Sequence, residues 1–229
     1  MRKIMTVALV LGAMYTSAHA VEMKPYIGLD ASYSNAEFKN YFLNEEDSID
    51  SKKDNNFNAG LNAGLQFNLN EKFYLGAEAY LNTGKLVDKK KSVYDTTVSY
   101  IDGYTDQIKL NQFFGVRFNA GYNFNKAFSV FGFIGLNYTN YEGKYLYQDE
   151  SVSDYFSGKY TEDVLTPSFG LGVAYNFTEN FQMNLSYEFS KFNIKDDVLA
   201  KYQDFNYFDI NKKVDMTINT VKLGVKYLF

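Results

Sequence analysis

The stretch Gly64-Leu65-Gln66-Phe67-Asn68-Leu69-Asn70-Glu71-Lys72-Phe73 decides the fold, because its pattern recurs along the chain. Copies follow at 119–128 and 172–181, and the last six residues, 224–229, repeat its beginning. The repeat is about 53 residues long, which indicates one supersecondary unit used several times. In each full copy an Asn-rich or Thr-containing linker of about three or four residues joins two alternating segments, and this predicts a β-hairpin with a tight turn.

The segments on both sides of these turns alternate between apolar and polar residues. Between Phe57 and Asn68, every second residue is Phe, Ala or Leu, and the residues between them are Asn, Gly and one Gln. Such a period of two is the signature of a strand with two unlike faces. Eight segments of this kind occur, at about 26–33, 57–68, 73–82, 114–124, 128–138, 168–177, 181–190 and 220–229.

The small size of the polar residues distinguishes between two possible all-β folds, a soluble sandwich and a membrane barrel. A soluble sandwich buries its apolar face and exposes Lys, Glu and Thr on the other. Gly, Asn and Ser instead suit the interior of a narrow barrel whose apolar face meets lipid. Because hydrocarbon leaves no backbone group unpaired, the last strand must pair with the first. We therefore predict an all-β fold, a closed eight-stranded antiparallel up-and-down transmembrane β-barrel.

The amino terminus predicts export. Residues 1–20 begin with Arg2-Lys3, continue with an apolar core and finish with Ala18-His19-Ala20, the pattern of a cleaved secretory signal peptide. The alternative is a short membrane anchor, but the apolar core is too short to span. The barrel then occupies 21–229. A formal net charge of −4 argues against a nucleic-acid partner.

The connections between the segments are alternately short and long. The long ones lie at about 35–56, 83–107, 140–164 and 191–214. In outer-membrane barrels the short turns face the periplasm and the long loops face outward. We therefore predict four long extracellular loops, rich in Tyr and in charged residues. Their alternative interpretation is a rim, in which the strands simply continue past the membrane with Tyr pairing across strands.

The residue types exclude several kinds of chemistry. The chain has no Cys, and its single His, His19, belongs to the predicted signal peptide. Nucleophilic catalysis that depends on a His base, and zinc held by His or Cys, therefore have no ligands or bases in the mature chain. Acid pairs in the loops leave a glycosidase-like site as a disfavoured alternative. We predict that the protein is not an enzyme and uses no metal and no cofactor.

Six charged residues fall on the inward face of the predicted barrel, three acids and three bases. They are Asp30, Glu78, Arg117, Glu188, Lys222 and Lys226. The favoured interpretation is a structural salt-bridge network that balances charge in a filled lumen, since an unpaired buried ion is costly. The alternative is a gate or an ion path. Eight strands leave room only for side chains, and Phe131 and Phe133 add bulk to the interior.

With these strands and with the terminal stretch Val221-Lys222-Leu223-Gly224-Val225-Lys226-Tyr227-Leu228-Phe229, the chain resembles the small eight-stranded outer-membrane proteins typified by opacity proteins and by the membrane domain of outer membrane protein A. The resemblance implies the outer membrane of a Gram-negative bacterium. It also implies an assembly signal, read by the barrel-assembly machinery, on the apolar positions of the last strand. These positions are Val221, Leu223, Val225, Tyr227 and Phe229.

The resemblance leaves the function open, because the group includes adhesins, surface antigens, membrane stabilisers and narrow pores. The expectation is a monomeric structural protein of the bacterial surface, surrounded by outer-membrane lipid. Exposed loops on a rigid scaffold usually carry binding, so we expect an adhesin or surface antigen whose loops contact a host or matrix surface. The alternative is a narrow passive porin-like channel.

Overall fold

The structure is a computed structural model, and it describes residues 22–42, 50–92, 103–149, 154–194 and 212–229. These residues form nine strands: β1 (Glu22–Phe42), β2 (Asp50–Asn68), β3 (Phe73–Asn82), β4 (Lys85–Ser92), β5 (Gly103–Asn123), β6 (Phe128–Asp149), β7 (Asp154–Asn176), β8 (Phe181–Ile194) and β9 (Lys212–Leu228). Strands β3 and β4 are two parts of one wall strand, interrupted at Thr83 and Gly84. No helix long and apolar enough to cross a membrane occurs in the described part of the chain.

The sheet closes on itself. Each strand pairs antiparallel with its neighbours, β1 pairs with both β2 and β9, and β3 pairs with both β2 and β5. Pairing of the first strand with the last leaves no free edge in this part of the wall, as a barrel in hydrocarbon requires. The prediction of a closed eight-stranded antiparallel β-barrel is therefore confirmed.

The two faces of the wall differ as the alternation predicts. Outward side chains are apolar and exposed, with Leu171 at 71% and Phe118 at 61%, whereas inward positions such as Ser186 and Asn137 are buried. Aromatic pairs at two heights bound the outward apolar belt, which is the arrangement of a membrane barrel with two interfacial girdles. Near the short turns these pairs are Phe73–Tyr122 and Phe181–Tyr227, and at the other end they are Tyr33–Phe57, Phe114–Tyr138 and Phe169–Phe189.

The strands are longer than the sequence analysis predicted. Most of the predicted loop 35–56 belongs to β1 and β2, which pair as far as Asn40 and Asp50. Likewise β6 and β7 pair as far as Asp149 and Asp154, so that nearly all of 140–164 is strand. Parts of 83–107 and 191–214 are also strand. Segments 43–49, 93–102, 150–153 and 195–211 lie outside the described residues, as does the predicted signal peptide at 1–20.

A reversal of the apolar face explains this difference. Below the upper aromatic pairs the apolar side chains point outward, but above them the buried inward positions become apolar, as at Ala36, Tyr141 and Met216. An outward face that meets water instead of lipid has no need of apolar residues, whereas the inside of the barrel must still be filled. The alternation therefore changes phase along most of the long strands, and such a change looks like a loop in the sequence.

Strand β5 contains a β-bulge between the part whose outward face is apolar and the part whose inward face is apolar. Its register against β6 shifts between Gln112 and Phe114. One extra residue changes which positions face inward, so that Leu110 above the bulge and Arg117 below it are both buried. The bulge lies at the height of the interruption at Thr83 and Gly84, so both strands change at the same level.

Candidate functional site: the lumen and the rim

The lumen contains a charge network centred on Arg117 of β5. Glu78 of β3 is its direct partner across the sheet, and the Arg117 Nε lies 3.2 Å from the Glu78 Oε1. Glu78 also accepts hydrogen bonds from the Lys226 Nζ at 2.6 Å and from the Tyr26 hydroxyl at 3.0 Å. A buried carboxylate with this many donors is compensated for the hydration it has lost.

Glu188 of β8 forms the other half of the network. Its Oε2 lies 2.7 Å from the Lys222 Nζ and 3.7 Å from the Arg117 Nη2. Its Oε1 accepts a hydrogen bond from the Asn137 Nδ2 at 3.1 Å, and Asn137 in turn accepts one from Tyr80. Arg117 therefore joins two lysine–glutamate pairs into one continuous bridge across the lumen.

Aromatic rings surround these cations and complete the filling of the lumen. The Arg117 Cζ lies 4.4 Å from the ring centre of Tyr80 and 4.8 Å from that of Phe133. The Lys222 Nζ lies 4.6 Å from the Tyr80 ring, and the Lys226 Nζ lies 4.2 Å from the ring of Tyr26. These cation–π contacts stabilise desolvated charges more than exposed ones.

Asp30 is the one predicted member that the structure does not join to the network by an ion pair. Its Oδ2 accepts a hydrogen bond from the Asn62 Nδ2 at 3.1 Å, its Oδ1 has no hydrogen-bond partner, and no lysine or arginine of the described residues lies within salt-bridge distance. Asp30 lines a small polar cavity with Lys222 and Lys226. This cavity measures about 20 Å³, which is space for roughly one water molecule.

A regular packing of rings on glycines was missed by the sequence analysis. Five inward aromatic side chains each cover a glycine that is their direct partner on the next strand, because a Cβ at that glycine would overlap the ring. The pairs are Tyr26 on Gly64, Tyr74 on Gly121, Tyr80 on Gly115, Phe131 on Gly172 and Phe133 on Gly170. The sequence signal is an inward aromatic residue whose register partner is Gly, and it becomes readable only once the register is known.

The short turns are fixed by side chains of the repeated motif. In the first turn the Asn70 Oδ1 accepts hydrogen bonds from the backbone N–H groups of Lys72 and Phe73, both at 2.8 Å. Asn125 makes the same two bonds in the second turn, and Thr178 makes them in the third. The repeat that decides the fold is thus a repeated turn chemistry.

Neighbouring turns are also joined to one another. The Asn123 Nδ2 donates to the Glu71 carbonyl at 3.2 Å, and the Asn176 Nδ2 donates to the Lys126 carbonyl at 2.9 Å. The Asn180 Nδ2 donates to the Leu228 carbonyl of the last strand at 2.8 Å. This end of the barrel is therefore a hydrogen-bonded ring.

At the opposite end the barrel continues as a structure that we call the rim, formed by residues 35–42, 50–59, 85–92, 103–112, 139–149, 154–167, 191–194 and 212–219. In the rim β2 no longer pairs with β4, and β7 no longer pairs with β8, since the last pairs are Gly60 with Asn82 and Ser168 with Ser190. The rim consequently splits into two four-stranded sheets, β2-β1-β9-β8 and β4-β5-β6-β7.

The two rim sheets pack on one another through a hydrophobic core. The first sheet contributes Ala36, Phe192, Met216 and Ile218, and the second contributes Leu86, Leu110, Tyr141 and the half-buried Val164. Met216 and Ala36 are fully buried. The arrangement is that of a small sandwich above the barrel, and it closes the lumen a second time.

The outer faces of the rim sheets carry polar and charged side chains that pair across strands. The Lys109 Nζ lies 3.9 Å from the Glu142 Oε1, and the Asn140 Nδ2 donates to the Asp163 Oδ1 at 2.9 Å. Hydrogen bonds from Tyr138 and Asn140 hold the pKa of Asp163 below its usual range. The described part of this face is thus polar and held together by cross-strand pairs.

The residues of the proposed assembly signal share one face of β9. Val221, Val225 and Tyr227 lie on the outward apolar face, and the ring of Tyr227 contacts the ring of Phe229 at 5.0 Å. The Phe229 N–H donates to the Pro25 carbonyl at 2.9 Å, which ties the last residue to β1. The carboxy-terminal residues predicted to form the assembly signal thus lie at the junction of the first and last strands.

Three solved structures are similar to this chain at low sequence identity. The attachment invasion locus protein Ail of Yersinia pestis, solved in complex with the heparin analogue sucrose octasulfate, is 16% identical, with 90% of this chain and 99% of Ail covered and a TM-score of 0.38. Neisserial surface protein A is 16% identical, with 90% and 97% covered and a TM-score of 0.35. The outer membrane protease OmpT of Escherichia coli is 9% identical, with 91% and 96% covered and a TM-score of 0.46.

Likenesses at this level say nothing about what the chain binds or catalyses. No curated protein matches the chain closely enough in sequence to count as a relative. The family model described as outer membrane protein beta-barrel domain, however, matches residues 5–229. The closed wall, its outward apolar belt and this match agree, and the chain belongs to the family of outer membrane β-barrel proteins.

Proposed function

We propose that the protein is a surface adhesin or surface antigen, and that the rim and its connecting tips make the functional contacts outside the cell. The observation that carries the proposal is the rim itself, a two-sheet structure with its own hydrophobic core at the end opposite the short turns. Short turns face the periplasm in barrels of this kind, which puts the rim outside. A paired, two-sheet scaffold of this size exceeds what is needed to connect neighbouring strands.

The filled lumen supports a role without transport. The charge network and the rim core lie at two heights in the barrel, and both are made of buried side chains. The cavity at the network holds roughly one water molecule. The carboxylates Glu78 and Glu188 are buried and paired with cations, which disfavours a catalytic role, and we propose that the protein is not an enzyme.

Shortened tips test the proposal. Four variants replace 43–49, 93–102, 150–153 or 195–211 with a minimal turn, and a fifth combines all four changes. Binding of whole cells to host cells or to extracellular matrix is then measured. We expect at least one single variant, and the combined variant, to lose most of the binding.

A control at the other end of the barrel separates contact from general surface effects. Glu71→Gln with Lys72→Gln alters two exposed charges of the first short turn, and we expect it to bind like the parent. Unboiled samples on a gel verify that each variant is a folded barrel. If every shortened variant inserts and binds as the parent does, the protein is a membrane stabiliser and not an adhesin.

We further propose that the chain is exported by its signal peptide at 1–20, is assembled as a monomer, and is recognised through the last strand. Deletion of Phe229 tests recognition. We expect the deletion to lower the amount of assembled protein in cells several-fold while the refolded variant keeps most of its stability, because only one interfacial ring and one backbone hydrogen bond are lost. Normal amounts in the outer membrane would contradict this role.

A further inference from the structure

The split of the rim leaves strand edges without a partner strand. Strand β4 pairs with β5 along its whole length, from Lys85 with Asn111 to Ser92 with Tyr104, but its other edge pairs with no described strand. The facing edge of β2, residues 50–58, likewise has no ladder partner among the described strands. An edge of this kind presents a row of N–H and C=O groups in the geometry of a strand and can accept another strand.

The gap between the edges of β2 and β4 begins at the interruption at Thr83 and Gly84. The Thr83 backbone N–H donates to the Ala59 carbonyl at 3.0 Å, and the Ala59 N–H donates to the Thr83 hydroxyl at 3.2 Å. These hydrogen bonds lie just above Gly60 and Asn82, the last ladder pair between β2 and β3. A Cβ at Gly84 would overlap the side chain of Asn58, so the chain passes β2 closely here before the two strands separate.

The composition of β4 selects the kind of strand that this edge can accept. Its eight residues, Lys85-Leu86-Val87-Asp88-Lys89-Lys90-Lys91-Ser92, contain four lysines and one aspartate. Lysines on an edge strand repel neutral and basic strands, which is how many proteins prevent uncontrolled pairing. The same charges attract an acidic strand, because backbone pairing then brings opposite charges together.

We propose that the free edge of β4 in the rim binds an extended acidic polypeptide segment by strand addition. The inference rests on the proposed function, since it requires the rim to face other molecules. The second gap in the rim, between β7 and β8, has an edge strand of the opposite charge. There the edge strand β7 carries Asp154, Glu162 and Asp163 against one lysine, Lys159, so an acidic segment is directed to β4 and away from β7.

Peptide binding to the purified, refolded protein tests the inference. The probe is an extended peptide about as long as β4 that alternates glutamate and threonine. A second peptide carries lysine in place of glutamate, and a third keeps the acidic side chains but has N-methylated backbone amides, so that it cannot donate hydrogen bonds to a strand. We expect only the first to bind, with an affinity that falls as salt is added.

A charge variant and a matched control locate the site. Lys89→Gln, Lys90→Gln and Lys91→Gln together should weaken binding of the acidic peptide about tenfold, as the loss of a few charge contacts of up to about 1 kcal/mol each implies. The control changes Lys109, Lys144 and Lys213 to Gln, because these lysines lie on the inner strands β5, β6 and β9 of the two rim sheets. We expect the control to bind nearly as well as the parent.

Hydrogen exchange supplies the readout that distinguishes strand addition from simple attraction of charges. Amides within 85–92 should exchange more slowly when the acidic peptide is bound, and those of β7 should not change. Equal binding of the N-methylated peptide, equal binding by the β4 variant, or no binding of the acidic peptide to the folded parent would each overturn the inference. Peptide binding without cell adhesion would refute only the proposed function, and adhesion without peptide binding would refute only this inference.

Discussion

At the scale of single residues, the interior is organised by what lies directly opposite on the next strand. A ring and a glycine share the space that two ordinary side chains would overfill, as Phe131 and Gly172 show. A carboxylate and a cation likewise meet as direct partners at Glu78 and Arg117. The narrow lumen thus permits large side chains only where the partner is very small or carries the opposite charge.

Gly172→Ala should lower the free energy of unfolding by about 2 kcal/mol, because the new methyl group overlaps the ring of Phe131. Gly132→Ala is the control. A Cβ there meets its nearest atom, the Leu171 Cδ2, at 3.5 Å, an ordinary contact. Urea titration of the protein in lipid vesicles gives both values. Phe131→Leu added to Gly172→Ala should restore part of the loss, and an equal loss in the two glycine variants would contradict the packing argument.

Arg117→Met should cost about 3 kcal/mol of stability, since it leaves Glu78 and Glu188 buried with fewer compensating cations. The comparison is Lys72→Met in the first short turn, an exposed position at which we expect a change of about 0.5 kcal/mol or less. The same urea titration measures both. If Arg117→Met is no more costly than Lys72→Met, the network does not contribute to the stability of the barrel.

At the scale of elements, hairpins with the same turn chemistry form one end of the barrel, and strands that change their apolar face form the other. The turns are local, since Asn70 contacts only residues two and three positions ahead. The rim is not local. Its core combines Leu86, Tyr141 and Met216, which come from three strands distant in the sequence.

Asn70→Ala should destabilise the barrel by about 1 kcal/mol, because two backbone N–H groups lose their acceptor in the turn. Asn70→Asp keeps the acceptor oxygen and should cost much less. Thr178→Ala should destabilise the barrel less than Asn70→Ala does, because the two hydrogen bonds that Thr178 accepts are longer, at 3.1 and 3.2 Å. Unfolding of the three variants in urea establishes the order, and the same cost for Asp and Ala at position 70 would show that the side-chain oxygen is unimportant.

At the scale of the whole molecule, the barrel is closed at two heights in series. Arg117 and its partners fill the lumen within the apolar belt, and the packed sheets of the rim close it above. A path through the barrel would open only if both the charge network and the rim core were removed. From this arrangement we expect the lumen not to conduct as the water-filled lumen of a porin does.

We expect no stable channels from the parent protein in planar bilayers. Arg117→Ala alone, and Phe192→Ala with Met216→Ala alone, should also remain closed, because each leaves the other obstruction in place. The combined variant should show openings. Reproducible conductance of the parent that disappears or changes in Arg117→Ala would contradict the proposal and favour the narrow channel.

Local chemistry made much of this molecule predictable from the sequence. The alternation of 57–68 gave the two faces, the Asn-rich turns gave the hairpins, and the boundaries of Phe73–Asn82 were predicted as the structure has them. The inward positions of Glu78, Arg117, Glu188 and Lys222, which are buried, and of the half-buried Lys226 followed from the same period of two. These features depend only on neighbours in the chain and on a lipid environment outside the wall.

The tertiary structure alone decided which inward residues meet and how the rim is built. Asp30 has the same sequence pattern as Glu78, yet it forms no ion pair with any described residue, because its register partners are Gly60 and Gly224 and not a cation. The rim strands escaped prediction because their apolar face turns inward where the environment outside changes from lipid to water. Alternation along one strand cannot say which environment each face meets, and that depends on where the strand stands in the closed barrel and in the membrane.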